Sequence, residues 1–272
     1  MCSAFDRRSF LCRAAALVPI MHAGPLFAMT MDDTPTPGPG PARFARLGLR
    51  TAIDLEKMAV FYQQTMDLPA EIRDGSLRVN AGETSIEFTP AAGDAKPYYH
   101  FAFNIPHNKL DTAMKWLEPR CALVKLGNGG YVAHFESWNA HAVYFLDPAG
   151  NILEFIARHT LKNDAPGDFS PKDILCASEI GVVAPDVVKA SDQLCAGANL
   201  KRYRPGDENF TAVGDEHGLF IVVRAGRRWF SSDRAAEVFE ADARVRTGAM
   251  IAPLQLPDSR FSASSSSKAA PR

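Results

Sequence analysis

His100, Glu154, Glu87 and Glu179 are the side chains of this sequence best placed to do chemistry, because each lies in a short apolar run with strand-like alternation. In His100-Phe101-Ala102-Phe103-Asn104-Ile105, the residues Phe101, Phe103 and Ile105 form one face and leave His100, Ala102 and Asn104 on the other. In Asn151-Ile152-Leu153-Glu154-Phe155-Ile156, Glu154 shares its face with Ile152 and Ile156, opposite Leu153 and Phe155. Glu87 falls between Ile86 and Phe88, and Glu179 is out of phase with Ile180 and Val182. One imidazole with carboxylates is a donor set that first-row divalent metals such as Fe, Mn, Zn or Ni accept. Glu154 and Glu179 are also candidate catalytic acids or bases in a pocket.

Other residues carry weaker signals. His134 and His141 could touch a substrate or simply pack, His107 at a helix start faces solvent, and Trp138 could wall a cavity. Arg224, Arg227 and Arg228 beside Trp229 are either a positive cluster for an acidic substrate or a solvated face. Cys121, Cys176 and Cys195 read as buried free thiols, with Cys176–Cys195 as the one pairing to consider in an oxidising compartment. Gly127-Asn128-Gly129-Gly130 is a turn and not a phosphate cradle, since no strand-to-helix context surrounds it.

The elements that would position these groups recur three times. FARLGLRTAIDLEKMAVFYQQTMDLPAEIRDGSLRVNAGETSIEFTPA predicts a strand, a helix capped by Asp54, and three strands broken at Asp74-Gly75 and Ala81-Gly82. The stretch from Tyr98 to Arg158 repeats that order, with Leu110, Met114 and Leu117 on one helical face. A third copy begins at Ser178 with a strand and a helix capped by Asp186, then shortens to a last clear strand at Leu219–Arg224; EVFEADARVR could add one more. Residues 1–30, with Arg7-Arg8-Ser9-Phe10-Leu11 before a weak apolar stretch, read as a twin-arginine signal and imply a periplasmic or secreted protein. A start at Met29 or Met31 would instead leave the protein cytoplasmic. Residues 31–42 read as a Pro/Gly linker, 43–160 as a two-module domain, 174–247 as a partial third module and 248–272 as a disordered tail.

Thirty basic and 31 acidic residues, a net charge of −1, give no reason to expect nucleic acid or an anionic membrane as partner. No apolar run reaches the roughly 18 residues that a membrane span needs.

The hairpin YFLDPAGNILEFIAR and the helix IDLEKMAVFYQQTMDL resemble those of the vicinal-oxygen-chelate superfamily, which includes glyoxalases, bleomycin-resistance proteins and extradiol dioxygenases. The resemblance covers residues ~44–158 well and a further ~70 residues weakly. It implies an α+β fold of tandem βαβββ modules that form curved partial barrels with helices outside, here with the third module truncated. First and last strands of such a module are neighbours, so His100 and Glu154 would converge. The family's metal enzymes draw ligands from these strands in two modules. That implies a metal site of His100, Glu154 and Glu87, with Leu47 or Arg46 at the fourth slot, neither a usual ligand. Glu179 takes the corresponding first-strand slot of the third module, where the matching last-strand position is near Ile221.

Two functions compete on this reading. One is a metal-dependent lyase, isomerase or dioxygenase acting on a small oxygenated molecule. The other is a metal-free small-molecule binding or sequestering protein of the same fold. The shortened third module could cap an open sheet edge or form a homodimer contact.

Overall fold

The computed structural model describes residues 40–230 and 232–256. The signal segment, nearly all of the linker and the chain beyond 256 lie outside the described residues.

Strand β1 (Ala42–Thr51) leads to Asp54, whose carboxylate accepts from the amides of Glu56 and Lys57 and so starts helix α1 (Leu55–Val60). The helix widens into a π-turn over Phe61–Thr65 and buries Met58, Phe61 and Tyr62. Strands β2 (Ala70–Arg73), β3 (Ser76–Ala81) and β4 (Thr84–Pro90) follow. Asp74-Gly75 closes β2 on β3 with both residues at positive φ, as a two-residue hairpin requires. Strand β4 returns beside β1, parallel to it.

The second segment repeats this order with β5 (His100–Ile105), α2 (Leu110–Leu117), β6 (Val132–Phe135), β7 (Ala140–Leu146) and β8 (Ile152–Arg158), and β8 lies parallel to β5. The third comprises β9 (Cys176–Ala184), α3 (Val187–Ala198), β10 (Phe210–Asp215) and β11 (Gly218–Arg224), one strand short of a full module. Asp186 caps α3 by accepting from the Lys189 amide. The hairpin β12 (Ala241–Thr247) and β13 (Met250–Leu256) ends the described chain.

These strands form two sheets, in the orders β13-β12-β1-β4-β3-β2 and β10-β11-β9-β5-β8-β7-β6. Two sequence expectations change here. The second module pairs with the third, through antiparallel β5 and β9, and not with the first. Strands β12 and β13 leave the third segment and extend the first module's sheet from β1. Strand β13 occupies part of the stretch read as tail. Its Pro253 offers no amide donor, which discourages a strand assignment, but an edge strand tolerates it. Cys121, Cys176 and Cys195 are all free thiols, so the one bridge considered, Cys176–Cys195, is not formed.

One core lies between helices and sheets. Phe101, Phe103, Leu153 and Phe155 meet Leu110, Ala113 and Leu117 of α2 there, and the Phe44 and Phe220 rings stand edge to face at 5.0 Å. No helix among the described residues is long and apolar enough to cross a membrane.

The Asp147–Asn151 turn joins the first two segments as well as β7 to β8. The buried Asp147 carboxylate accepts from the amides of Ala149 and Asn151 (2.9 Å each), from Asn151 Nδ2 (2.7 Å) and from the Tyr62 hydroxyl (2.9 Å). Gly150 has φ +76°, and a β-carbon there would meet the Arg234 guanidinium. Gly150→Val is expected to cost about 1–3 kcal/mol. Asp147→Ala should cost a similar amount by leaving buried donors unpaired. Thermal melting checks both, and unchanged midpoints would refute this account of the turn.

Candidate functional site

Register builds the site. Ala102 of β5 lies opposite Glu154 on β8 and opposite Glu179 on β9, so a small methyl separates two inward carboxylates. His100 is two residues earlier on the same face of β5. Its Nε2 is 3.5 Å from Glu154 Oε2 and 3.6 Å from Glu179 Oε2, and all three side chains are nearly inaccessible to solvent. The other ring nitrogen, Nδ1, is 3.1 Å from the Ile152 carbonyl, which can only accept. Nδ1 therefore carries a proton, and Nε2 faces the two carboxylates, donating to them when the ring is charged and offering a lone pair to an ion when it is neutral.

Arg158 is fully buried on β8, four residues beyond Glu154 and in the same phase. It donates through Nη2 to Glu179 Oε1 and through Nε to Asn104 Oδ1 (3.1 Å). Glu179 thus has Oε1 held by a fixed cation while Oε2 faces His100. Sequence reasoning missed Arg158. The available signal was its even spacing from Glu154 at the end of an apolar strand.

The charges are unequal in consequence. Burial and the neighbouring Glu179 push the Glu154 carboxyl up to about 8, against the pull of His100 and Arg158. Burial also opposes ionisation of Glu179, but the Arg158 charge and the His100 hydrogen bond outweigh it and hold that carboxyl below its usual range. Burial likewise works against a charged His100, yet its bond to Glu179 and the two carboxylate charges raise it overall. Tyr144 lies opposite Glu154 across β7 and β8, and burial with the nearby carboxylates drives the phenol well above its ordinary value.

Above this cluster is a cavity of about 240 Å³. Phe135, Trp138, Tyr144, Phe210, Trp229 and Phe230 supply aromatic walls, and Ile221 and Arg227 also line it. Trp229 tilts over His100 at 5.5 Å between ring centres, which it can do because residue 181 is glycine; a β-carbon there would sit 2.5 Å from the indole. The Arg227 guanidinium lies over the Phe210 ring at 5.3 Å and has no carboxylate partner among the described residues.

The other expected positions fall elsewhere. Glu87 is in the six-stranded sheet, where Arg46 Nε donates to its Oε2 at 2.8 Å while Arg46 Nη1 donates to Asp242. Arg46 is the side chain at the fourth slot, and its hydrogen bond lowers the Glu87 carboxyl despite partial burial. In the first sheet an ion pair therefore occupies positions comparable to those that carry donors in the second. Glu87 cannot join His100 and Glu154, because the second module shares its sheet with the third. Leu47 is a core residue, and Ile221 is apolar at the slot opposite Glu179's strand. His134 and His141 lie on the helix side of their strands, away from the cavity, with Val132, Val143 and Phe145 in the same phase. His107 is paired with Asp164 (3.1 Å) instead of lying free in solvent. Trp138 does wall the cavity, and of the three arginines near it Arg227 is the one in its lining.

The cluster can hold a divalent ion. Nε2 and the two Oε2 atoms lie within 4.8 Å of one another, each residue offers one free donor atom, and the cavity leaves positions open for other oxygens. Second-layer partners are present as well, the Ile152 carbonyl for His100 and Arg158 for Glu179.

No protein-family model and no curated protein matches the chain. Among solved structures, the chain is similar to a putative dioxygenase from Bacillus subtilis subsp. subtilis str. 168 (18% identity, TM-score 0.48), covering 68% of this chain and 64% of that one. It is also similar to a glyoxalase I mutant from Zea mays (14%, TM-score 0.45, 79% of this chain and 74% of that one). A third is a glyoxalase/bleomycin resistance protein/dioxygenase from Nocardioides (21%, TM-score 0.35, 47% and 89%). This chain spans somewhat less than two thirds of the length of the Bacillus protein. With the first and last strands of each complete module adjacent and parallel, and helices on one side of curled sheets, the chain has the tandem βαβββ architecture that its resemblance to the vicinal-oxygen-chelate superfamily implies.

Proposed function

We propose that this chain is a metal-dependent enzyme, a lyase, isomerase or dioxygenase in reaction class, that holds a divalent ion with His100, Glu154 and Glu179 and acts on a small oxygenated molecule. The convergence of three single donor atoms from adjacent strands β5, β8 and β9 supports this most directly. A bound ion would supply Lewis-acid polarisation of substrate oxygens. The chain's own residues do the rest. Aromatic walls exclude water and favour a flat ring or enediol-like group, and Arg227 can meet an acidic substituent. Tyr144 can donate a hydrogen bond beside the reacting centre, and Glu154 is the carboxyl whose proton is most readily exchanged near neutral pH.

A metal-free binding protein is the second reading, favoured by Arg158. That cation already neutralises Glu179, and His100 and Glu154 can share one proton in place of an ion. Ile221, at the last-strand position of the third module, fits either reading.

The expected result is that wild-type protein, expressed without a histidine tag and loaded with Fe²⁺, Mn²⁺, Zn²⁺ or Ni²⁺, holds one equivalent of metal more than His100→Ala does. Affinity for that equivalent should fall on the order of 10²-fold or more in His100→Ala and strongly in Glu154→Gln. Elemental analysis after dialysis decides it. Equal metal content in wild type and His100→Ala would leave the binding-protein reading standing.

A further inference from the structure

Four of the chain's seven histidines form a row on the opposite face of the second module from the cavity. His134 of β6 and His141 of β7 are direct cross-strand partners, and their rings stack at 4.3 Å with planes 1° apart. His141 Nδ1 is 2.7 Å from Nε2 of His159, which follows β8. The His107 ring completes the row at 5.7 Å from His159, with its own Nε2 turned to Asp164. His134 is exposed, and the other three are half-buried. This arrangement has no part in the site above, since the sheet lies between them.

We propose that His141 and His159, with His134 as third ligand, form a second, outward-facing site for a late first-row divalent ion such as Zn²⁺, Ni²⁺ or Cu²⁺. Three imidazoles without a carboxylate among them are donors of the kind those ions prefer over Mg²⁺ or Ca²⁺. Two neutral rings 2.7 Å apart share one proton, one nitrogen donating and the other accepting, and an ion can take that proton's place. Zinc–nitrogen bonds of about 2.0–2.1 Å place neighbouring ligand nitrogens about 3.3 Å apart, so the pair must open by only about 0.6 Å. Half-buried rings at the ends of strands can move that far. His134 is held beside His141 by pairing of the edge strand β6; its nitrogens do not converge with the pair as the rings stand, so its exposed ring must turn about χ2 to reach the same ion. The Asp111 carboxylate, in the first turn of α2, adds a negative charge near His141 that favours a cation.

The test is calorimetric titration of Zn²⁺ into the full chain carrying no histidine tag. Wild type and Glu154→Gln should both show an equivalent that His141→Gln/His159→Gln loses. His134→Gln, at an exposed position that cannot threaten the core, should weaken that same equivalent about tenfold or more. Retention on an immobilised Ni²⁺ resin should fall in the same order. The proposal is overturned if the double variant binds Zn²⁺ with wild-type stoichiometry and affinity, or if Glu154→Gln binds none, since all binding would then belong to the interior cluster. Unchanged Zn²⁺ affinity in His134→Gln would overturn the three-ligand site.

Discussion

Replacing Arg158 by methionine is expected to destabilise the protein by about 3–5 kcal/mol at neutral pH, as removal of one partner of a buried ion pair does. Arg158 is fully buried and its cation faces Glu179, while Glu154 stands on the far side of Ala102 from Glu179. Without the guanidinium, two carboxyls share a water-poor pocket with one imidazole between them, and at most one of them can ionise cheaply. The deficit should depend on pH in a stated direction. In the wild type Glu179 is held below its ordinary value, so its contribution to stability is present above the unfolded carboxyl's pKa and lost as pH falls through the folded one. In the variant Glu179 loses its main cation, and protonating it relieves the cost. The gap between variant and wild type should therefore be smaller at pH 4 than at pH 7. Arg158→Met/Glu179→Gln should recover much of the loss at pH 7, because neither charge is then left alone. Denaturant unfolding at pH 4 and 7 measures this. Wild-type stability of Arg158→Met at pH 7 would show that the pair does not govern Glu179.

Local chemistry was legible in the sequence where the chain's own periodicity sets it. The inward phase of His100 and Glu154 follows from Phe101, Phe103, Leu153 and Phe155, and the caps at Asp54 and Asp186 and the turn at Asp147–Asn151 follow from side chains that bond their own backbone. Pairing between modules was not legible. Nothing in the alternation of β5 says whether its free edge meets β1 or β9, and that choice decides whether Glu87 or Glu179 stands beside His100. Arg46 offered a hint, since a cation at a ligand slot neutralises Glu87 and spoils it as a donor. The hairpin of β12 and β13 was hidden for a related reason: its partner β1 lies about 200 residues earlier in the chain, and its edge strand contains a proline. The histidine row was invisible because His107, His134, His141 and His159 come from two strands and two turns whose neighbours only the sheet order reveals.

Glu154 gives the protein a pH dependence that a bound ion should reverse. Its carboxyl is raised to about 8 by burial and by Glu179, against about 4.5 for an ordinary glutamate. A group raised on folding contributes stability that is fully present below the unfolded value and lost as pH rises through the folded one. Metal-free protein should thus become less stable between about pH 4.5 and 8. Asp147, raised by burial to about 6, adds a smaller decline in the same direction that ends earlier. Glu154→Gln carries no proton to lose at that position, so between pH 6.5 and 8 its stability should fall less than that of the wild type, with the raised His100 as the remaining contributor. Ligation requires the ionised carboxylate, so metal affinity should move the opposite way, rising by up to tenfold per pH unit until about pH 8 and then levelling. Loading at pH 6.5 should release at least one proton per ion from this site, that of Glu154 and any held on His100, and loading at pH 9 far less. Calorimetry in two buffers of different ionisation enthalpy reads the released proton directly, and His141→Gln/His159→Gln protein keeps the outer row from contributing. A proton release that does not change between pH 6.5 and 9 would mean that Glu154 is already ionised without metal. The shared proton that the metal-free reading needs would then have no place to sit.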